Sequence, residues 1–244
     1  MRKPGQASLA VVIPSYNEAA TIRGIVERTL ALLPRVIVVD DGSTDGTTAA
    51  LDGLPVTLIR NPRNLGKAAS LWRGIAVALA EDAEVVISLD GDGQHRPEDI
   101  PRLLAAHGGG GIVVGARLHD RAGFPIDRYL SNRFANFWIA WAAGQRIEDS
   151  QSGFRVYPAS LLRALPPRLV RAASFVFESE ILIEAGRRGL KLAFVPIPAI
   201  YEPHARRSHF RPVLDFVLIT RMVAWKLISR GLYLRGLLRS LRGA

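Results

Sequence analysis

The chain has 244 residues, 48% of them hydrophobic and none of them cysteine. That length allows one large domain, or one domain with an appended segment, and the lack of cysteine excludes disulfides and thiolate zinc sites. A formal charge of +10, from 32 basic and 22 acidic side chains, favours an anionic partner: nucleic acid, a nucleotide or an acidic membrane surface.

The first six residues lead so quickly into a strand-like run that no signal peptide is expected. Leu9-Ala10-Val11-Val12-Ile13 is that run, short and apolar, and Pro14-Ser15-Tyr16-Asn17-Glu18 interrupts it. From Glu18 to Leu33 apolar residues recur near helical spacing until Pro34 stops them. Val36-Ile37-Val38-Val39 predicts a second strand, ending in Asp40-Asp41-Gly42-Ser43-Thr44-Asp45. Val56-Thr57-Leu58-Ile59 predicts a third, and Asn64-Leu65-Gly66-Lys67 leads into a helix through about Ala80. Val85 to Leu89 is the fourth strand and Gly111 to Gly115 the fifth. Strands alternating with helices predict an α/β fold with a mostly parallel sheet covered on both faces. The polar loops after successive strands then share one crevice at the carboxyl edge of the sheet.

The second half differs in character. Asp127 to Ala143 is rich in bulky apolar residues, among them Phe134, Phe137, Trp138 and Trp141. A polar loop, Glu148-Asp149-Ser150-Gln151-Ser152-Gly153-Phe154-Arg155, precedes Val156-Tyr157-Pro158. Ser174 to Arg188 predicts a helix carrying Glu178, Glu180 and Glu184, and Leu192 to Pro196 a further strand. A basic loop from His204 to Arg211 leads to Phe216–Arg242, which is apolar but cut by five basic residues. No uninterrupted apolar run there reaches the roughly 20 residues a spanning helix needs. The segment reads either as basic amphipathic helices lying on a membrane surface or as a helix pair packed on the domain. The same choice applies to Phe134–Trp141.

The chemistry concentrates in Asp90-Gly91-Asp92-Gly93-Gln94-His95. Two carboxylates and an amide follow a strand end closely, a set that suits a hard divalent cation bound through few protein oxygens plus substrate phosphates. The competing reading is a solvated acidic turn. No glycine-rich dinucleotide fingerprint follows the first strand. Carboxylates at strand ends repel a diphosphate unless a cation bridges them, so the Asp90/Asp92 pair makes sense with metal, while Asp41 is suited to a base or ribose. Lys67 reads equally as a helix-start lysine or a ligand contact, His95 as a support of the acidic loop, and Glu178 and Glu180 as ordinary helix residues first and sugar contacts second.

These stretches resemble family-two inverting glycosyltransferases of the GT-A fold: the segments 12–18, 38–45, 64–67 and 90–95, in that order. Asp149 to Arg155 is similar to the dolichyl- and polyprenyl-phosphate mannose synthase branch, which carries threonine where this chain has Gln151. The resemblance runs from about Leu9 to Tyr201. It implies that Pro14, Tyr16, Glu18 and Asp41 hold the nucleoside of a nucleotide-diphosphate sugar, with Gly91 among the substrate contacts. It implies that Asp90, Asp92 and Gln94 surround Mg²⁺ or Mn²⁺, and that Arg117 helps hold the diphosphate or sugar. Arg133 and Arg155 would face the acceptor phosphate, and Arg206 and Arg207 would belong to a mobile loop that closes over substrate. Asp92, Asp149 and Arg155 are the residues expected to act most directly in catalysis.

The expectation is therefore an enzyme peripheral to the cytoplasmic face of a membrane, with a GT-A domain over residues 1–212 and a basic amphipathic segment over 213–244. It moves a hexose, with inversion, from a nucleotide-diphosphate sugar to a lipid acceptor, a polyprenyl phosphate first of all. The alternatives are transfer to a hydroxyl acceptor, with Asp149 as general base, or a sugar-nucleotide-binding protein without catalysis. Nucleic acid is not an expected partner, because the polar loops are acidic and no recognition motif occurs.

Overall fold

The computed structural model describes residues 8–108, 110–118, 126–166, 176–200 and 212–242, with the side chains of 127–128 and 212–216 left aside. Seven strands make one sheet: β1 (Leu9–Ser15), β2 (Val36–Asp40), β3 (Thr57–Arg60), β4 (Val85–Ser88), β5 (Ile112–Ala116), β6 (Arg155–Pro158) and β7 (Leu192–Pro196). Their order is β3-β2-β1-β4-β6-β5-β7. The first four pair in parallel, and so do β5 and β7, but β6 runs antiparallel to both β4 and β5. That reversal matters for function. The segment before β6 arrives at the same sheet edge at which β1, β2, β4 and β5 end.

The strands form where the sequence supplies β-branched runs, and their alternation decides the layers. Ala10, Val12, Ile37 and Val39 point to one face, and Val11, Ile13, Val36 and Val38 to the other. On the first face lie α2 (Lys67–Ala80), α4 (Ile126–Ala143), α5 (Ala159–Arg163), α6 (Val176–Arg187) and α7 (Pro212–Ile228); on the second lie α1 (Ile22–Leu30) and α3 (Ile100–His107). Helix α2 buries Ala68, Leu71, Ile75 and Ala78 at helical spacing. Each large aliphatic side chain so buried contributes roughly 1.5–3 kcal/mol. Helix α1 starts at Ile22, later than the sequence periodicity suggests, because residues 17–19 spend their backbone N–H groups on the loop after β2.

The C-terminal helices pack on the domain, one of the two readings offered by the sequence. Helix α7 buries Ile219, Val223 and Leu227 in the core, and its Lys226 forms a 2.7 Å ion pair with Glu180 of α6. Helix α8 (Leu234–Arg242) packs on α4, where Gly236 lies so near Trp141 that a Cβ would come within 2.9 Å of the tryptophan carbonyl. Their outward faces remain apolar: Trp225 is 71% and Leu241 66% exposed, and Phe134 and Phe137 of α4 are also exposed. Among the described residues no helix is long and apolar enough to cross a membrane.

Candidate active site

The loops after β1 and β2 are clamped to one another. Asn17 takes a left-handed conformation (φ 56°), which asparagine tolerates better than most residues. From there its N–H donates to Ser43 Oγ (2.8 Å) while its Oδ1 accepts from the Thr44 N–H (2.7 Å). The Glu18 N–H donates to Thr47 Oγ1 and that of Ala19 to Asp45. Gly42, at φ +75°, passes Arg63 so closely that a Cβ would sit 2.7 Å from its carbonyl carbon. Beside it is a cavity of about 490 Å³ lined by Gly42, Ser43, Thr44, Arg60, Asn61 and Pro62. Pro14 is buried in β1, paired with Val39, while Tyr16 and Glu18 are half-buried at the rim.

Asp41 does structural work that the sequence did not indicate. Its carboxylate accepts from Asn61 Nδ2 (2.6 Å) and from the N–H groups of Leu65 (2.8 Å) and Gly66 (2.9 Å). It thereby fixes the turn that launches α2 and places Lys67. The Lys67 ammonium lies 2.8 Å from Asp90 Oδ1 and 3.0 Å from Glu178 Oε1. Glu178 comes from the first turn of α6 and is buried, so a residue read as an ordinary helix position joins Lys67 against the acidic loop. The only sequence signals were a lysine directly after the Asn-Leu-Gly turn and a glutamate opening an otherwise apolar helix.

Asp90, Asp92 and Gln94 share the loop after β4, where Asp92 Oδ1 accepts from the Gln94 backbone N–H (3.0 Å) and Gly91 O accepts from Thr21 Oγ1 (2.7 Å). Burial alone would raise the Asp90 carboxyl, but the neighbouring groups, Lys67 foremost, together hold it below its usual range. Asp92 goes the other way, pushed up to about 6 by burial and by the charge of Asp90. His95 is buried against Phe154, its Nδ1 3.8 Å from Asp90 Oδ2; burial pushes its imidazole down to about 4 and leaves it neutral at pH 7. Among the described residues there is no cluster of three or more His, Cys, Asp or Glu side chains arranged to hold a metal. The donors present are two carboxylates of unequal basicity. They fit a hard cation that takes its remaining ligands from a diphosphate rather than one held in an all-protein cage. Below about pH 6 Asp92 takes up a proton that a metal ion must displace, so Mn²⁺ affinity should fall as pH drops from 7 to 5; titration calorimetry at each pH checks the sign.

The loop before β6 closes the site from the opposite side. Ser88 Oγ donates to the Gly153 carbonyl at 2.6 Å, drawing this loop over the acidic one. A Cβ on Gly153 would lie 2.5 Å from Asp90 Oδ2 and 2.7 Å from Lys67 Nζ. Gly153→Ala should therefore displace Asp90, costing about 1–3 kcal/mol of stability and nearly all activity, read by thermal melts beside activity assays.

Asp149 and Arg117 form one unit. Asp149 is fully buried and accepts from the Arg117 backbone N–H (3.1 Å), Nε (2.9 Å) and Nη2 (3.2 Å). Burial alone would raise its carboxyl, but Arg117 holds it below the usual range. Asn136 on α4 fixes the loop by donating to Glu148 O (2.7 Å) and accepting from the Ser150 N–H (2.9 Å).

Arg155 departs from expectation. It is completely buried, and its guanidinium donates to the carbonyl oxygens of Ser150 (2.8 Å), Ser152 (2.7 Å) and Glu178. A guanidinium enclosed this way ties the loop to α6 and does not face an acceptor phosphate. Arg133 is exposed on α4, with its guanidinium over the Tyr129 ring at 5.7 Å and Nη1 donating to the Tyr129 hydroxyl (3.1 Å). It is not brought against Arg155. Arg206 and Arg207 lie outside the described residues.

The sequence profile of Glycosyl transferase family 2 matches residues 10–165, which spans every strand-end loop described above except those that follow β7. The chain belongs to glycosyl transferase family 2. Family-2 relatives include the polyprenol monophosphomannose synthase of Mycolicibacterium smegmatis, 30% identical over 207 residues and covering 80% of this chain and 78% of that protein. The UDP-N-acetylglucosamine–dolichyl-phosphate N-acetylglucosaminyltransferase of Methanococcus voltae is 28% identical over 240 residues, covering 89% and 95%. A solved structure of glucosyl-3-phosphoglycerate synthase from Mycobacterium tuberculosis, in complex with Mn²⁺, uridine diphosphate and glucosyl-3-phosphoglycerate, matches with a TM-score of 0.64 at 24% identity, covering 94% of this chain and 86% of that one. That likeness establishes the GT-A fold.

Proposed function

We propose that this family-2 glycosyltransferase moves a sugar from a nucleotide diphosphate to a polyprenyl phosphate at a membrane surface, with Mg²⁺ or Mn²⁺ at Asp90, Asp92 and Gln94. The observation that carries the acceptor class is the state of Asp149. A hydroxyl acceptor needs a base, and the carboxylate foreseen for that role is locked on Arg117 and held ionised. A phosphate acceptor is already an anion at neutral pH and asks for no base. A bound cation would supply the charge that offsets the departing diphosphate. The chain's own residues do the rest: Tyr16 and Glu18 flank Asn17, which is bonded to Ser43 of the cavity wall, and Asp41 keeps the α2 turn in place. Arg117, aimed by Asp149, offers a fixed cationic donor to the diphosphate or sugar, and Arg133 stands on α4 for the acceptor side.

The two relatives are named for polyprenyl acceptors but for different sugars, so the donor is left to experiment. Incubating the protein with a panel of labelled sugar nucleotides, Mn²⁺ and undecaprenyl or dolichyl phosphate should give a labelled product that partitions into organic solvent. No lipid product with any donor, together with transfer to a glycan or lipid hydroxyl, would overturn the acceptor assignment.

The apolar outward faces of α4, α7 and α8 support peripheral seating on a membrane surface, with residues 213–244 as the anchoring segment. On α8, Leu234, Leu238 and Leu241 are exposed and alternate with Arg235, Arg239 and Arg242, the pattern of a helix lying in an anionic interface. Leu238→Ser combined with Leu241→Ser should weaken partition onto anionic vesicles at least about tenfold, read by co-sedimentation.

A further inference from the structure

Lys67 is the first residue of α2. A helix N-terminus carries partial positive charge and disfavours an ammonium there, so helical preference does not account for this lysine. Its surroundings do. Asp41 pins the two N–H groups immediately before it, and Gly153 leaves just enough room for its Nζ. On the far side Glu178 is held in place because Arg155 grips its backbone carbonyl. Lys67 is thus one positive charge set among three carboxylates, Asp90, Asp92 and Glu178, in direct contact with the first and last.

We propose that Lys67 is a built-in counter-charge that makes the divalent cation and the donor's diphosphate bind as a pair. A cation held by Asp90 would share that carboxylate with the Lys67 ammonium, which already lies 2.8 Å from it, and the two positive charges would repel. An incoming diphosphate brings negative charge enough to offset both. Metal alone is therefore held weakly, and metal with diphosphate is held well. The inference rests on the donor and metal assignment proposed above.

Calorimetry on the full chain tests it with two probes, Mn²⁺ alone and preformed Mn²⁺–pyrophosphate, which carries no nucleobase. Wild type should bind the complex at least tenfold more tightly than the metal alone. Lys67→Gln keeps a hydrogen-bond donor between the two carboxylates and removes the charge. It should bind Mn²⁺ alone at least tenfold more tightly than wild type and the complex no more tightly, while Lys67→Arg should keep the wild-type gap. Unchanged or weaker Mn²⁺ binding by Lys67→Gln overturns the proposal. Should that variant fail to fold, equal wild-type affinity for the two probes overturns it as well. If neither wild type nor Lys67→Arg takes up Mn²⁺–pyrophosphate at all, the donor and metal assignment itself falls.

Discussion

Replacing Asp92 with alanine is expected to reduce sugar transfer at least about a thousand-fold, equivalent to about 4 kcal/mol of transition-state stabilisation, while the protein melts no lower than wild type. The two halves of this expectation come from one observation. Asp92 is half-buried beside Asp90, and burial together with repulsion from Asp90 pushes its carboxyl up to about 6. Alanine relieves that repulsion, so the fold loses nothing, whereas a cation loses one of two protein carboxylates. Transfer assays with saturating Mn²⁺ beside a thermal melt check both. Activity within tenfold of wild type would remove Asp92 from the catalytic machinery, and a large drop in melting temperature would show that the loop needs it structurally.

Asp149 is expected to behave in the opposite manner, harming fold and activity together. Asp149→Ala leaves Arg117 enclosed without its partner, and breaking a buried pair from one side costs about 3–5 kcal/mol. Asp149→Asn is milder, since its amide oxygen still accepts from the Arg117 backbone N–H. That variant separates the two roles on offer. If Asp149 aims Arg117, the asparagine variant should raise the donor KM at least about tenfold and leave the acidic limb of the pH–rate profile unchanged. If Asp149 is the base for a hydroxyl acceptor, kcat should collapse, KM should hold, and the acidic limb should vanish. Enclosure by Arg117 leads us to expect the first outcome.

The sheet was legible because its strands are signalled locally. Val36-Ile37-Val38-Val39 is β-branched or branched throughout and is wholly buried. The acidic loop was legible for the same reason: its carboxylates and glycines follow a strand end within a few residues. What the sequence hides are partnerships between distant residues. Arg155 looks like a surface arginine available to a phosphate, yet three carbonyl oxygens enclose it, and nothing in its neighbours' identities announces that. Lys67 and Glu178 are far apart in the chain and meet only because α2 and α6 cover the same face of the sheet. The orientation of β6 was hidden too, since a four-residue strand reads the same in either direction.

That reversed strand has a bearing on how the protein is made. In the finished sheet β6 sits between β4 and β5, both of which leave the ribosome before it. Until residues 155–158 insert, β4 presents a bare edge of Val85, Val86 and Ile87, a template for mispairing with another chain. The insertion that seals this edge also carries Gly153 over Asp90 and buries Asp149 with Arg117. Nascent chains that stop short of Pro158 should therefore be both inactive and prone to aggregate, and assembly of the catalytic pocket coincides with the closing step of the sheet.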